Sequence, residues 1–244
     1  MKKGSFIIKG VDSDTIKTYI QDRPLIEVPL RRMNWKNAYG VDGEIPFDEG
    51  AYEDTSMELT LVVGGDDLIG DRQKVVDLFD GRGSFVEMIP YFDPTKIYRV
   101  TAREPMKFEN KFYYGDVQAA QVTLRVKPYK YLVEKGNITT TSKTLSLLNP
   151  TNYTSQPIIR LKGTGVVNVI VNDTTFHIRE LPGDIVLDSE RYLAYRESTN
   201  GVLTNANDKV TSKEYPVFKP GNNTVEIVGD VTETTIEPRW RSLV

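Results

Sequence analysis

Apolar and polar side chains alternate in two stretches of the first half of the chain. Met57, Leu59, Leu61 and Val63 are separated by polar Glu58 and Thr60, and Val122, Leu124 and Val126 by Thr123 and Arg125. Period two places one set of side chains on one face of a strand, so both stretches are expected to be β-strands with one face on a core. Gly64-Gly65 closes the first, and Pro128, which has no N–H to give a ladder, closes the second. Phe6 with Ile8, residues 85–89 and residues 98–103 read as further strands, the last two flanking an Asp93-Pro94 turn, and Phe112-Tyr-Tyr-Gly115 leads into the strand at 122. Residues 24–29 are short, apolar and bracketed by prolines, which predicts an edge strand. The helical period occurs once, over residues 71–80. There Val75, Val76 and Phe79 share a face, Asp71 can cap the start and Gly81 ends the run.

After Leu132 the composition turns to Thr, Ser and Asn, and alternation resumes only near Leu145. This predicts two domains, 1–132 and 133–244. The second is expected to be all β: strands at 157–163 and 166–172 with a Gly163-Thr-Gly165 turn between them, 175–179 returning across Asn172-Asp173, then 184–188, 223–228 and 233–240. Short strands at intervals of roughly ten residues indicate a β-sandwich or jelly roll. Residues 197–207 are loop-like. The fold class is therefore mainly β, with one helix in the first domain.

The charge distribution adds one feature to this picture. From Asn37 to Asp71 there is no Lys or Arg, yet there are ten carboxylates: Asp42, Glu44, Asp48, Glu49, Glu53, Asp54, Glu58, Asp66, Asp67 and Asp71. Immediately before this segment stand Arg31 and Arg32, then Trp35 and Lys36. The Asp42-Gly43 pair suits a hairpin tip. Residues 37–56 are thus expected to leave the domain body as an acidic hairpin or loop and return as the strand at 57. They either form a solvated acidic loop or an arm whose charges meet bases such as Arg31 and Arg32 of a neighbouring molecule.

Candidate chemistry is sparse. The chain has no cysteine and one histidine, His177, which excludes disulfides, zinc–thiolate sites and thiol nucleophiles and leaves no multi-histidine metal site. His177 alternates with Phe176 and Ile178 and reads as a satisfied side chain on a strand's polar face. Asp12-Ser-Asp14 and Asp42-Gly-Glu44 lack the full ligand spacing of a calcium loop and read as turns. Gly81-Arg-Gly83 follows a helix instead of opening one, so it is a C-terminal turn and not a phosphate loop. Trp35 and Trp240 read as core residues. No catalytic residue, cofactor site or metal site is assigned. A net charge of −3 does not fit a basic nucleic-acid binder. No apolar run approaches the roughly 20 residues of a membrane helix. The apolar run after Lys2-Lys3 stops at Ile8, too short for a signal-peptide core, so the chain is expected to stay where it is made.

In the order and spacing of its turns, the chain resembles the distal tail (Dit) proteins of long-tailed phages that infect Gram-positive bacteria. The likeness rests on the Gly-rich step before the acidic strand, Leu78-Phe-Asp-Gly-Arg-Gly-Ser-Phe85, the Asp93 to Ala102 run, Phe108 and Lys127-Pro-Tyr-Lys-Tyr131. It continues through Ser155 to Gly165, Asn172 to Ile178, Asp184 to Asp188 and Tyr215 to Asn223. The resemblance implies a non-enzymatic structural protein. Its N-terminal domain would close into a hexameric ring with a belt or arm embracing the next subunit, and its C-terminal domain would be a galectin-like β-sandwich. It implies a baseplate hub at the virion tail tip, assembled in the host cytoplasm. The implied partners are the tail-tube protein above and the tail-associated baseplate protein below, with receptor-binding proteins attached in some members, and DNA only in passage.

By that analogy residues 37–56 are the arm. The candidate subunit-contact residues are Arg31, Arg32, Asp42, Glu44, Asp48, Glu49, Glu53 and Asp54; alternatively some of the carboxylates line the bore and repel DNA phosphates. His177-Ile-Arg179 echoes part of a galectin sugar site, but the Asn and Trp that complete such a site have no match after it. Two other readings remain, a carbohydrate-binding or cell-wall adhesion module and a tail-tube subunit. The strands after residue 132 argue against the tube subunit.

Overall fold

The computed structural model describes residues 1–65, 67–109, 117–134, 136–198 and 200–244. The chain forms two compact units, residues 1–133 together with the last two residues, and residues 134–242. Asp66, the Phe112 to Gly115 lead-in and Thr199 in the 197–207 loop lie outside the described residues.

The first unit contains β1 (Phe6–Ile8), β2 (Val11–Asp12), β3 (Thr18–Ile20), β4 (Arg31–Lys36), β5 (Ile45–Tyr52), β6 (Thr55–Gly64), α1 (Leu68–Phe79), β7 (Val86–Pro90), β8 (Lys96–Ala102), β9 (Lys107–Glu109), β10 (Val117–Val126) and β11 (Tyr129–Leu132). The main sheet runs β2-β1-β7-β8-β10-β6-β3. Its spine is the antiparallel pair β6–β10, in unbroken register from Thr55 opposite Val126 to Gly64 opposite Val117. The alternation seen in the sequence sets which face is buried: Met57, Leu59, Leu61 and Val63 lie with Ala120, Val122, Leu124 and Val126 in one core, and Val75 and Phe79 of α1 join them. Phe79 packs on Phe6 with ring centroids 5.8 Å apart. Val244 is buried in the same core, its N–H donating to the Pro128 carbonyl at 3.1 Å.

Three expectations for this unit need correction. The helix begins at Leu68, because Asp67 and not Asp71 caps it, accepting from the Gly70 N–H at 3.0 Å. Asp71 lies in the first turn, buried, and pairs with Lys74 at 2.7 Å. Residues 24–29 form no strand; that segment is fixed by side chains of β6, with Thr55 Oγ1 donating to the Glu27 carbonyl at 3.1 Å and Ser56 Oγ to Glu27 Oε2 at 2.9 Å. Arg31–Lys36, which reads in sequence only as a basic cluster, is a strand.

The second unit contains β12 (Ile138–Thr140), β13 (Thr144–Asn149), β14 (Ile158–Val171), β15 (Thr174–Asp188), β16 (Leu193–Glu197), β17 (Leu203–Asn205) and β18 (Gly221–Glu237), followed by β19 (Arg241–Leu243), which ends at the change of unit. Its sheet is ordered β12-β18-β14-β15-β16-β17, with β13 also on β18. Six of the expected short strands are thus three long ones. The Gly163-Thr-Gly165 turn is instead a break in register within β14, between Gly165 and Val167 against β15 and between Lys162 and Asn168 against β18.

The glycines explain why a turn signal yields a bulge. A Cβ on Gly163 would lie 2.1 Å from the Asp230 carbonyl oxygen, and one on Gly229 would lie 2.6 Å from that of Val166. Glycine here allows two backbones to approach, not a chain reversal. Across the bulge the buried parity changes: β18 buries Asn223, Val225 and Ile227, then Thr234 and Ile236. Trp240 is buried as expected, 5.7 Å from Phe218 between ring centroids.

Candidate subunit-contact surface

Among the described residues β4 and β5 pair only with each other, as a two-stranded sheet separate from the core sheet. Residues 37–44 join them, and with the exception of Met33, Ile45, Ala51 and Tyr52 the hairpin is exposed from Arg31 to Tyr52. An isolated hairpin is marginal in water, so side-chain contacts within this one matter. Arg31 grips Asp48 with two hydrogen bonds, Nε to Oδ1 at 2.8 Å and Nη2 to Oδ2 at 2.6 Å. The same guanidinium lies over the Tyr52 ring at 4.8 Å. Asp48 Oδ1 also accepts the Gly50 N–H at 2.8 Å, where the strand bulges between Arg31 and Met33. The Arg31 hydrogen bonds, then the Gly50 N–H, lower the Asp48 carboxyl below its ordinary value, and Asp48 raises Arg31 in return. Arg32 pairs with Glu49 at 2.9 Å, and Lys36 lies over the Phe47 ring at 5.2 Å.

At the base, the Glu53 N–H donates to the Leu30 carbonyl at 2.9 Å. Asp54, mostly buried, accepts from Arg125 Nε at 2.8 Å and pairs with Lys127 at 3.1 Å. Tyr52 meets Tyr129 edge-on at 5.9 Å.

Nine of the ten carboxylates, all but Asp66, therefore divide by task. Asp48, Glu49 and Asp54 are matched within the chain, Asp67 caps a helix, and Asp71 pairs with Lys74. Asp42 and Glu44 stand exposed at the hairpin tip, and Glu53 and Glu58 are exposed on either side of Asp54. Sequence reasoning missed the apolar side of the hairpin. Trp35 is 56% exposed, which corrects its expected place in the core, Tyr39 is fully exposed at the tip, and Val41 and Phe47 are also exposed. The alternation Arg31, Met33, Trp35 against Arg32, Asn34, Lys36 is the signal that could have found them.

The other ionisable groups that stand out in the sequence have structural partners. A cleft of about 280 Å³ in the first unit is lined in part by Gly64, Gly65, Asp67, Asp71 and Lys74, where the carboxylates are the helix cap and its first-turn ion pair. Asp14 pairs with Lys2 at 2.8 Å, and Asp12 accepts the Asp14 N–H in the turn. His177 is exposed, with Nδ1 2.7 Å from Asn168 Oδ1 on the neighbouring strand. Among the described residues there is no cluster of three metal-ligating side chains, and no helix is long and apolar enough to cross a membrane.

No protein-family model matches this sequence, and no curated protein does. A solved structure does match: the SPP1 Dit (gp 19.1) protein, whose crystal structure is described as a paradigm of the hub adsorption apparatus in Gram-positive infecting phages. The TM-score is 0.67 at 16% sequence identity, over 98% of this chain and 99% of that one. At that identity the likeness speaks for the fold: the chain is mainly β and shares, over nearly its whole length, the fold of SPP1 Dit, the family that its turns and spacings resemble.

Proposed function

We propose that this protein is a structural hub of a phage tail tip, closing into a six-fold ring that joins the tail tube to the tail-associated baseplate apparatus and leaves a channel for DNA. The observation that carries this reading is the end-to-end likeness to a hub adsorption protein, 98% of one chain against 99% of the other. The hairpin Arg31–Tyr52 supports it from physical grounds. A closed ring needs heterologous contacts, one patch of each subunit meeting a different patch of the next. A hairpin whose strands, among the described residues, pair only with each other and which exposes aromatic side chains is suited to that role. In this reading residues 1–132 form the ring and residues 133–244 its outer, galectin-like domain. The protein transforms no molecule and acts at the virion tail tip. Its neighbours are further copies of itself, the tube protein and the tail-associated protein, with receptor-binding proteins as an additional partner.

Native mass spectrometry of the full chain across a concentration series tests the proposal. A hexamer, growing from monomer as concentration rises, is the expected result. A monomer at all concentrations that binds bacterial cell wall or a glycan array would instead favour the adhesion-module reading.

A further inference from the structure

Val244 lies far along the chain from the residues that build the first unit, yet inside that unit's core. The chain leaves the first unit after Val133, forms the second over residues 134–242, and returns with Leu243 and Val244. Val244 is 8% exposed and belongs to the same apolar cluster as Leu124 and Val126 of β10. Its N–H donates at 3.1 Å to the carbonyl of Pro128, which lies between β10 and β11. The residues just before it are held by the second unit. Trp240 is buried against Phe218, with ring centroids 5.7 Å apart. Arg241 donates from Nε to the Thr154 carbonyl at 2.7 Å and from Nη1 to Gln156 Oε1 at 2.8 Å. Only Ser242 and Leu243 stand between that anchor and Val244.

The order of these contacts along the chain sets an order of folding. While the second unit is unfolded, Val244 reaches its place only by closing a loop of roughly 110 residues, and closure becomes less favourable as the three-halves power of loop length. Once Trp240 and Arg241 are seated, the free segment is about three residues long, and docking is favoured on the order of a hundredfold more. During synthesis, at about 5–20 residues per second, the rest of the first unit waits roughly 5–20 s for the segment that completes it.

We infer that Leu243-Val244 is a strap that completes the core of the first unit only after the second unit has folded. The strap is a folding device and does not depend on the ring reading. Under that reading it keeps unfinished chains out of the assembly, because their ring-forming unit is incomplete.

Hydrogen exchange of the full chain, read by mass spectrometry at one dilute concentration, tests both parts. Val244→Asp is expected to speed amide exchange in β11 and at the Leu124–Val126 end of β10 by at least about tenfold, while β14, β15 and β18 stay within about twofold of wild type. Val244→Ala is expected to act in the same place by at least about threefold, and decides alone if Val244→Asp does not fold. Unchanged exchange in the first unit, or an equal rise in both units, overturns the strap. In pulse-labelled refolding of the wild-type chain from urea, β11 is expected to gain protection no earlier than β14, β15 and β18. Protection in β11 ahead of the second unit overturns the order of folding.

Discussion

Two glycines two residues apart in β14 should respond very differently to the same substitution. Both belong to the bulge that lets three long strands share one sheet, but the reason for glycine differs. At Gly165 φ is +79° and a Cβ added there would meet nothing within 4 Å. Alanine there costs only left-handed strain, about 1–2 kcal/mol, offset by the roughly 0.4–1 kcal/mol gained through a less flexible unfolded chain. The net cost is at most about 1.5 kcal/mol. At Gly163 the added Cβ lies 2.1 Å from the Asp230 carbonyl oxygen and 2.8 Å from the Val231 Cα. Both are backbone atoms of β18, so no side-chain rotation relieves the overlap and the β14–β18 ladder must open. Overpacking costs about 1–3 kcal/mol when a core can adjust, and with rigid backbone on both sides the upper end applies, about 3 kcal/mol or more. The difference between the variants is therefore about 2 kcal/mol. In a unit of about this size that corresponds to roughly 8 °C in its melting transition, at about 4 °C per kcal/mol. Differential scanning calorimetry of the wild-type, Gly163→Ala and Gly165→Ala chains reads this directly. Equal shifts, or a larger one for Gly165→Ala, would refute the close-approach explanation of the bulge.

The remaining predictions concern charges and the arm. Asp188 is almost fully buried and holds Arg239 at 2.8 Å, with the Glu190 N–H at 3.1 Å. Asp188→Ala leaves the mostly buried Arg239 without that carboxylate and should cost about 3–5 kcal/mol by urea denaturation; a loss below about 1 kcal/mol would show that Glu190 suffices. Burial, then its hydrogen bond to Asp93, raises the Tyr98 hydroxyl well above its ordinary value of 10.0. The folded state therefore keeps a proton that the unfolded chain releases above about pH 10, so stability should fall as pH rises beyond that point. Tyr98→Phe should flatten the decline, measured as unfolding free energy against pH. Asp48 is shifted the other way, below 3.8, so its contribution is present above the ordinary carboxylate range and is lost as pH falls through its depressed value. Hydrogen exchange in β4 and β5 should accelerate in that acid window and not at neutral pH, and Asp48→Asn should show the acceleration already at about pH 7.

The parts of the fold that are legible in the sequence are those where one face is buried and the other is not. Met57 to Val63 of β6 and Val122 to Val126 of β10 lie where alternation places them, because their partners bury a single parity along the pair. β14, β15 and β18 look like six strands because Gly163, Gly165, Gly183 and Gly229 resemble turn residues. A local pattern cannot distinguish a chain reversal from a bulge, where the demand for glycine comes from a strand distant in sequence. The helix start is misplaced because Asp67 and Asp71 are equally good caps and Gly70, a weak helix former, disguises the first turn. At the contact surface, the acidic run points to an excursion from the body but not to its chemistry. Charge counts show Arg31 and Asp48 as potential partners without saying whether they meet within one chain or between two. β4 has neither face buried, so its aromatic side chains follow no core pattern, and residue type alone puts Trp35 in the core.

The most direct test of the account is electron microscopy of the full-length protein at assembling concentration. The expected particle is a closed six-fold ring with an open centre, each subunit's Arg31–Tyr52 hairpin lying on the next subunit. Separate monomers with that hairpin folded onto their own first unit, or two-fold dimers that bury it symmetrically, would contradict it.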